Sequence, residues 1–366
     1  MLTRRQFGKG AAAVAAGALM APAVARAQLQ AMRCGLASGV NDAQVAFQTI
    51  GMHKRLHWYQ DDGIELKIVN STNTSLPLQM LSNAQVEFAT TSAYNIIPAY
   101  ADHPELGLIS AYTWMPRVHN QTAVKPDSPI KDIKELKGKT IGIRSTGDSG
   151  FFFLQGVFAQ MGIDPKNDVN WVTVGAGGPA GRALHNGSVD ALAIWDVEFF
   201  RIGVAGFPVR VLPNPPVAKE LFGNTYLVNR QEFAKRKELY GKMFRSIAKG
   251  QIFTALNPRA AVLLHWDLYP ESKLKGKSDA EQLEDMIKLL EVRRDKWFPQ
   301  PDSKDQRMGV ATPEQWKASE KFAEGFAPQM KGKIKDLSKL YTLDIIDEAN
   351  KFDRKAFEEF ARNFKY

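Results

Sequence analysis

Between Thr140–Ile143 and an apolar run sits Ser145-Thr146-Gly147-Asp148-Ser149-Gly150, three hydroxyls, two glycines and a carboxylate in six residues. At the mouth of a helix such a turn supports either of two chemistries. Unpaired backbone N–H groups and a partial positive charge bind an anion or a polar acceptor there. Alternatively Thr146 or Asp148 is simply an N-cap. Gly175-Ala176-Gly177-Gly178-Pro179-Ala180 imitates a dinucleotide fingerprint. Its following helix must end by Asn186-Gly187, and Pro179 stands where close helix packing is needed, so a plain turn is favoured. His53 and His57 have zincin-like spacing, but no glutamate follows His53, and a basic surface helix is the simpler expectation. No G-x-S-x-G elbow, P-loop or paired-cysteine motif occurs, so nucleophilic hydrolysis, metal and cofactor chemistry have no sequence support.

The elements that must position the turn follow from an internal repeat. Leu81–Ala89 (LSNAQVEFA) and Leu184–Leu192 (LHNGSVDAL) share Leu-x-Asn-small-x-Val-acid. Each predicts a helix ending in a tight turn before an apolar strand. Upstream of the first, strands are predicted at Met32–Leu36 and Ile64–Val69, with a helix from about Asp42. Upstream of the second, strands fall at Thr140–Ile143 and Asn170–Val174, with a helix over Ser149–Met161. Alternating strands and helices predict parallel-type sheets in an α/β fold, here as two facing lobes. Ligands of such sheets sit beyond the strands' carboxyl ends. The ends fall on Gly39, Asn41, Thr91, Ser92 and Trp114 in the first lobe, and on Ser145, Thr146, Asp148, Ser149, Trp195 and Asp196 in the second. The repeat makes Ser92 and Trp195 equivalent. Helical residues point about 100° apart, so at least one of Phe151, Phe152 and Phe153 is expected at the cleft or the opposing lobe. The C-terminal patterns Ser278–Trp297 and Asp344–Phe364 predict helices with solvated faces and no chemistry.

The chain's two ends and its charge limit its class. Residues 1–27 read as a basic start, a short apolar stretch and Ala25-Arg26-Ala27, a cleavable export signal with cleavage after Ala27. The run Thr3-Arg4-Arg5-Gln6-Phe7-Gly8-Lys9 follows the twin-arginine pattern. A Lys-Lys replacement of Arg4-Arg5 is therefore expected to block export to the periplasm. The formal net charge is +9, and four basic residues of the signal leave +5, with no basic stripe for nucleic acid. The single cysteine, Cys34, allows no internal disulfide, follows no lipobox and reads as a core residue.

Lys131–Gly150 (KDIKELKGKTIGIRSTGDSG), Leu184–Asp196 (LHNGSVDALAIWD) and Asp336–Asp347 (DLSKLYTLDIID) carry a family likeness. With them the chain resembles the exported solute-binding proteins of ABC importers in the organosulfonate/nitrate/taurine-binding group, which share a fold with the yeast-type pyrimidine synthase. The resemblance implies a type II-like periplasmic binding fold with crossing strands near Gln121–Val124 and Thr225–Val228. Residues 28–120 and 225–366 would form one lobe and 121–224 the other. It also implies a monomer that delivers a small solute to a membrane permease. The matching positions are Ser145–Ser149, Trp195-Asp196, Gly39–Asn41 and Thr91-Ser92. Asp148 departs from this expectation, because a carboxylate in that turn would repel a sulfonate or nitrate. A pyrimidine or other heterocycle is the alternative solute. The synthase branch would need a cysteine-rich motif that this chain lacks, and a tripartite-importer subunit would need a spanning helix with no counterpart here.

Overall fold

The computed structural model describes residues 29–38, 42–273 and 277–366. The export signal, Gly39 and Asn41 therefore lie outside the described residues. Among these described residues ten strands alternate with helices and form two five-stranded sheets. The first sheet is built from β1 (Gln30–Leu36), β2 (Ile64–Asn70), β3 (Phe88–Ser92), β4 (Leu108–Tyr112) and β10 (Asn224–Asn229), in the order β2-β1-β3-β10-β4. The second uses β5 (Asn120–Val124), β6 (Thr140–Ile143), β7 (Asn170–Thr173), β8 (Ala191–Trp195) and β9 (Arg210–Leu212), in the order β7-β6-β8-β5-β9. The two orders are equivalent position by position.

Both sheets are mixed. β1 runs parallel to β2 and β3, while β10 is antiparallel to β3 and β4. Likewise β6 is parallel to β7 and β8, and β5 is antiparallel to β8 and β9. The antiparallel strand of each sheet is the one reached when the chain crosses from the other sheet.

The repeated turns share one backbone conformation. Gly187 holds φ +79, and Ala84 at the matching position holds φ +53, a left-handed geometry that costs an alanine roughly 1 kcal/mol. Ser92 and Trp195 close β3 and β8 and become the N-caps of the helices Ala93–Asp102 and Asp196–Val204. Their equivalence in the repeat is thus also an equivalence in the fold.

The helix Pro313–Phe326 joins the two halves. Tyr94, from the first half, lies 5.7 Å from the Phe153 ring of the second and 5.5 Å from Phe322. Gly156 permits this approach, since a Cβ there would stand 2.4 Å from the Phe322 ring. Three sequence expectations change. The Asp344–Phe364 pattern is two helices, Ile346–Ala349 and Arg354–Asn363, because Asp353 starts the second by accepting a hydrogen bond from the Ala356 N–H. The helix expected from about Asp42 does start there, with Asp42 as its N-cap, but it is three short consecutive turns, Ala43–Val45, Ala46–Thr49 and Ile50–Met52. His53 and His57 lie on no common helix: His57 takes left-handed backbone, and His53 is buried with its Nε2 3.0 Å from Asp267 Oδ2.

Candidate functional site

A cleft of about 550 Å³ opens where the carboxyl ends of the parallel strands of the two sheets meet. Its walls come from both sheets, from the Ala43–Thr49 turns and from the helix Asp279–Arg293. Aromatic residues form the apolar part. Trp114 packs on Phe47 with ring centroids 5.1 Å apart and donates its indole N–H to Thr90 Oγ1 at 2.9 Å. Trp195 lies beneath the Arg144 guanidinium, 4.5 Å from ring centre to Cζ, within the range of a cation–π contact.

The cationic side chains in the walls are each paired with a carboxylate. Arg144 Nε donates to Asp148 Oδ2, and Arg201 bridges Asp42 of the first half and Glu198 of the second. Arg293 donates to Asp196 at 2.6 Å, and Lys296 donates to the other oxygen of the same carboxylate, also at 2.6 Å. Burial alone would raise the Asp196 pKa, yet Arg293 and Lys296 hold this carboxyl well below its usual range. Beside it, burial and then Arg293 push the His119 imidazole down to about 3, so the ring is neutral near pH 7.

Three lining side chains are buried, uncharged and incompletely satisfied. Gln48 Nε2, His119 Nδ1 and Asn224 Oδ1 have no hydrogen-bond partner among the described residues. These three atoms themselves have almost no accessible surface, and His119 Nδ1 lies against Gly223, so the residues face the cleft with their other atoms.

The turn Ser145–Ser149 holds lobe to lobe. Asp148 caps the helix Ser149–Gln160 by accepting from the Ser149 N–H at 2.9 Å. The Gly147 carbonyl accepts from Ser75 Oγ at 2.9 Å and from Asn95 Nδ2 at 3.2 Å, both in the first half. With Arg144 beside it, the Asp148 charge is balanced within the protein and presents no bare carboxylate to a ligand.

Of the residues singled out in the sequence, Trp114, Asp148, Ser149 and Trp195 line the cleft. Thr91 lies off it, on the opposite face of β3 from the lining residue Thr90, and donates to the Thr74 carbonyl. Ser92 donates to Asn95 Oδ1 at 2.5 Å, Ser145 does not line the cleft and its Oγ is buried, and Thr146 is exposed. Asp196 is fully covered by its two cations. None of Phe151, Phe152 and Phe153 lines the cleft, but Phe153 packs on Tyr94 of the first half, the contact with the opposing lobe that was one of the two expected places; Phe151 meets Trp171 and Phe152 stacks on Phe326. Gln48, His119, Asn224, Arg144 and Arg201 were not legible as site residues. The helix Asp279–Arg293, read as free of chemistry, places Arg293 in the wall.

A family model described as NMT1/THI5 like matches residues 46–261. No curated protein matches the sequence. Among solved structures, one from Bordetella bronchiseptica RB50 superposes with a TM-score of 0.68 at 15% identity, covering 87% of this chain and 96% of that one. The alkanesulfonate-binding protein SsuA from Xanthomonas axonopodis pv. citri, bound to MOPS, gives 0.62 at 16% identity, with 86% and 98% covered. The periplasmic aliphatic sulphonate binding protein SsuA from Escherichia coli gives 0.61 at 18%, with 85% and 91% covered. At these identities the likeness is one of fold, and the fold is that of periplasmic binding proteins.

Proposed function

The chain belongs to the NMT1/THI5-like family, and from that premise we propose that it is the solute-binding component of an ABC-type importer. One lobe comprises residues 28–120 and 225–366 and the other 121–224. The protein acts in the periplasm as a monomer after cleavage at Ala27, closes on a small organic solute, and hands it to a membrane permease. The observation that carries this reading is a cleft of about 550 Å³ at the carboxyl ends of the parallel strands of two equivalent sheets, with lining residues from both. A solute held there is removed from water when the two lobes close on it.

A synthase-like activity using cysteine is disfavoured by Cys34. Its side chain is buried beneath the first sheet, and burial raises its thiol pKa far above the ordinary value, so no thiolate forms near neutral pH. Among the described residues no group of three or more metal-ligating side chains comes together, and no helix is long and apolar enough to cross a membrane.

The first solutes to test are sulfonates, the class named for two of the structural neighbours, beside nitrate, taurine, pyrimidines and aromatic heterocycles. Mature protein would be unfolded and refolded to strip bound solute, then titrated calorimetrically and measured by small-angle scattering. One solute per chain and a more compact loaded form are expected. Unchanged scattering with no heat from any class would count against a closing solute receptor.

A further inference from the structure

Among the described residues, ion pairs join the two lobes at two places, and both involve the helix Asp196–Val204 of the second lobe. At the inner place, Arg293 and Lys296 of the first lobe each donate to the Asp196 carboxylate at 2.6 Å. Asp196 sits beside the crossing segments: its backbone N–H donates to the His119 carbonyl at 3.0 Å, directly before β5. The segments themselves meet there. The Gly223 N–H donates to the Met115 carbonyl at 2.8 Å, and the Met115 N–H to the Asn224 carbonyl at 3.0 Å.

At the outer place, Arg201 Nη2 donates to Asp42. Arg201 stands five residues beyond Asp196, about 7.5 Å further along the same helix. Asp42 is fixed in the first lobe, where it caps the turn Ala43–Val45 by accepting from the Gln44 N–H at 3.0 Å, and that turn packs on the helix Asp279–Arg293. Arg201 is fixed in the second lobe, since its Nη1 donates to Glu198 Oε2 at 2.9 Å and Glu198 Oε1 accepts from the Gly177 N–H at 2.5 Å. Asp42, Gly177, Glu198 and Arg201 all line the cleft. The Arg201 and Asp42 side chains keep 23% and 16% of their exposure, against 5% and 0% for Arg293 and Asp196, so dissolved salt reaches the outer pair and not the inner one.

Resting on the solute-binding reading above, we propose that Arg201 and Asp42 form a clasp that holds the cleft closed in the absence of solute, and that Asp196 with Arg293 and Lys296 is the pivot about which it opens. A rotation about the crossing segments moves each group in proportion to its distance from them, so opening parts the outer pair and keeps the inner one together. Hydrogen bonds from Thr74, Ser75 and Asn95 to the turn Gly147–Ser149 also join the lobes, but they carry no ion pair across. The solute-free receptor is therefore closed at low ionic strength and opens as salt screens the clasp.

Small-angle scattering of stripped, refolded mature protein, with no solute added, tests this in sodium chloride from about 20 mM to about 1 M. The radius of gyration of the wild type is expected to rise with salt. Asp42→Asn removes the charge and keeps the cap, because asparagine caps a helical turn as well as aspartate does. This variant is expected to be expanded already at low salt, with a closed-to-open ratio about fivefold lower, and to respond to salt no further. Lys296→Gln weakens only the inner pair and is expected to lower the melting temperature without expansion. A folded Asp42→Asn with the wild-type profile at every salt concentration would overturn the clasp. Should that variant fold poorly, a wild-type radius that does not change with salt would overturn it equally. Expansion of Lys296→Gln at low salt would overturn the pivot. A flat salt series in protein that binds a solute by calorimetry would remove the clasp and leave solute binding intact, whereas a salt response in protein that binds no solute of any class would keep the clasp and remove the receptor.

Discussion

Thr74 Oγ1, in the loop after β2, accepts the backbone N–H of Ser149 at 2.9 Å, so a side chain of the first half caps the helix that opens the second. The same hydroxyl lies 3.1 Å from Asp148 Oδ1. The helix end that a sequence reader would reserve for an anionic ligand is thus occupied by the protein's own hydroxyl and carboxylate.

Thr74→Val removes both contacts while keeping the shape of the side chain. Loss of a cap of this kind costs about 1 kcal/mol, and the two halves lose one of their fastenings. Stability from urea titration should fall by that amount, and the radius of gyration of the ligand-free protein should increase. A variant with wild-type stability and scattering would mean that Thr74 does not hold the halves together.

Arg144→Gln leaves the Asp148 carboxylate, almost wholly buried, without its cation. Breaking one side of a buried pair costs roughly 3 kcal/mol. Adding Asp148→Asn removes the stranded charge, so the double variant should be more stable than Arg144→Gln alone. Strictly additive losses in the double-mutant cycle would show that the two residues do not interact.

His119 gives a pH dependence with a definite sign. Its imidazole titrates at about 3 in the folded protein and near 6.5 when unfolded. Between those values the unfolded chain binds more protons, so stability is highest above the upper one and declines as pH falls toward the lower. The slope reaches about 1.4 kcal/mol per pH unit inside that window. Asp196, held low by Arg293 and Lys296, adds its own loss only once the pH drops below the ordinary carboxylate range. Urea titrations at stepped pH between neutral and mildly acidic should therefore show a flatter profile for His119→Gln than for wild type. Parallel profiles would contradict the burial-driven shift.

Ala84→Gly should stabilise the protein by about 1 kcal/mol, since glycine takes the left-handed turn without the Cβ penalty. The open turn before β3 has no role in the cleft, so solute affinity should not change. A lower melting temperature would mean that the unfolded-state entropy of glycine outweighs the relieved strain.

Several features of this protein follow from short-range rules and were legible in its residues. Apolar runs and the Asn-Ala and Asn-Gly turns marked the strands and the repeat, while the crossing segments β5 and β10 were placed near their observed positions by the family likeness alone. The equivalence of Ser92 with Trp195 held because both residues end a strand and start a helix, a local event. Asp148 as an N-cap was one of two alternatives that the turn allowed, and the structure has it capping.

What the sequence alone determined, then, was the alternation of elements and where each strand stops, because backbone geometry and capping act over a few residues. Which side chains meet across the cleft was decided only by the tertiary structure. Strand pleating turned Thr90 rather than Thr91 toward the site, and helix packing drew Phe151, Phe152 and Phe153 into the seam and the second half. Arg293 reached Asp196, 97 residues earlier in the chain, because the helix Asp279–Arg293 packs on Asp196–Val204. Whether Gln48, His119 and Asn224 keep an unpaired atom depends on every neighbour that could have bonded to them, and those neighbours come together only when both sheets and the C-terminal helices are in place.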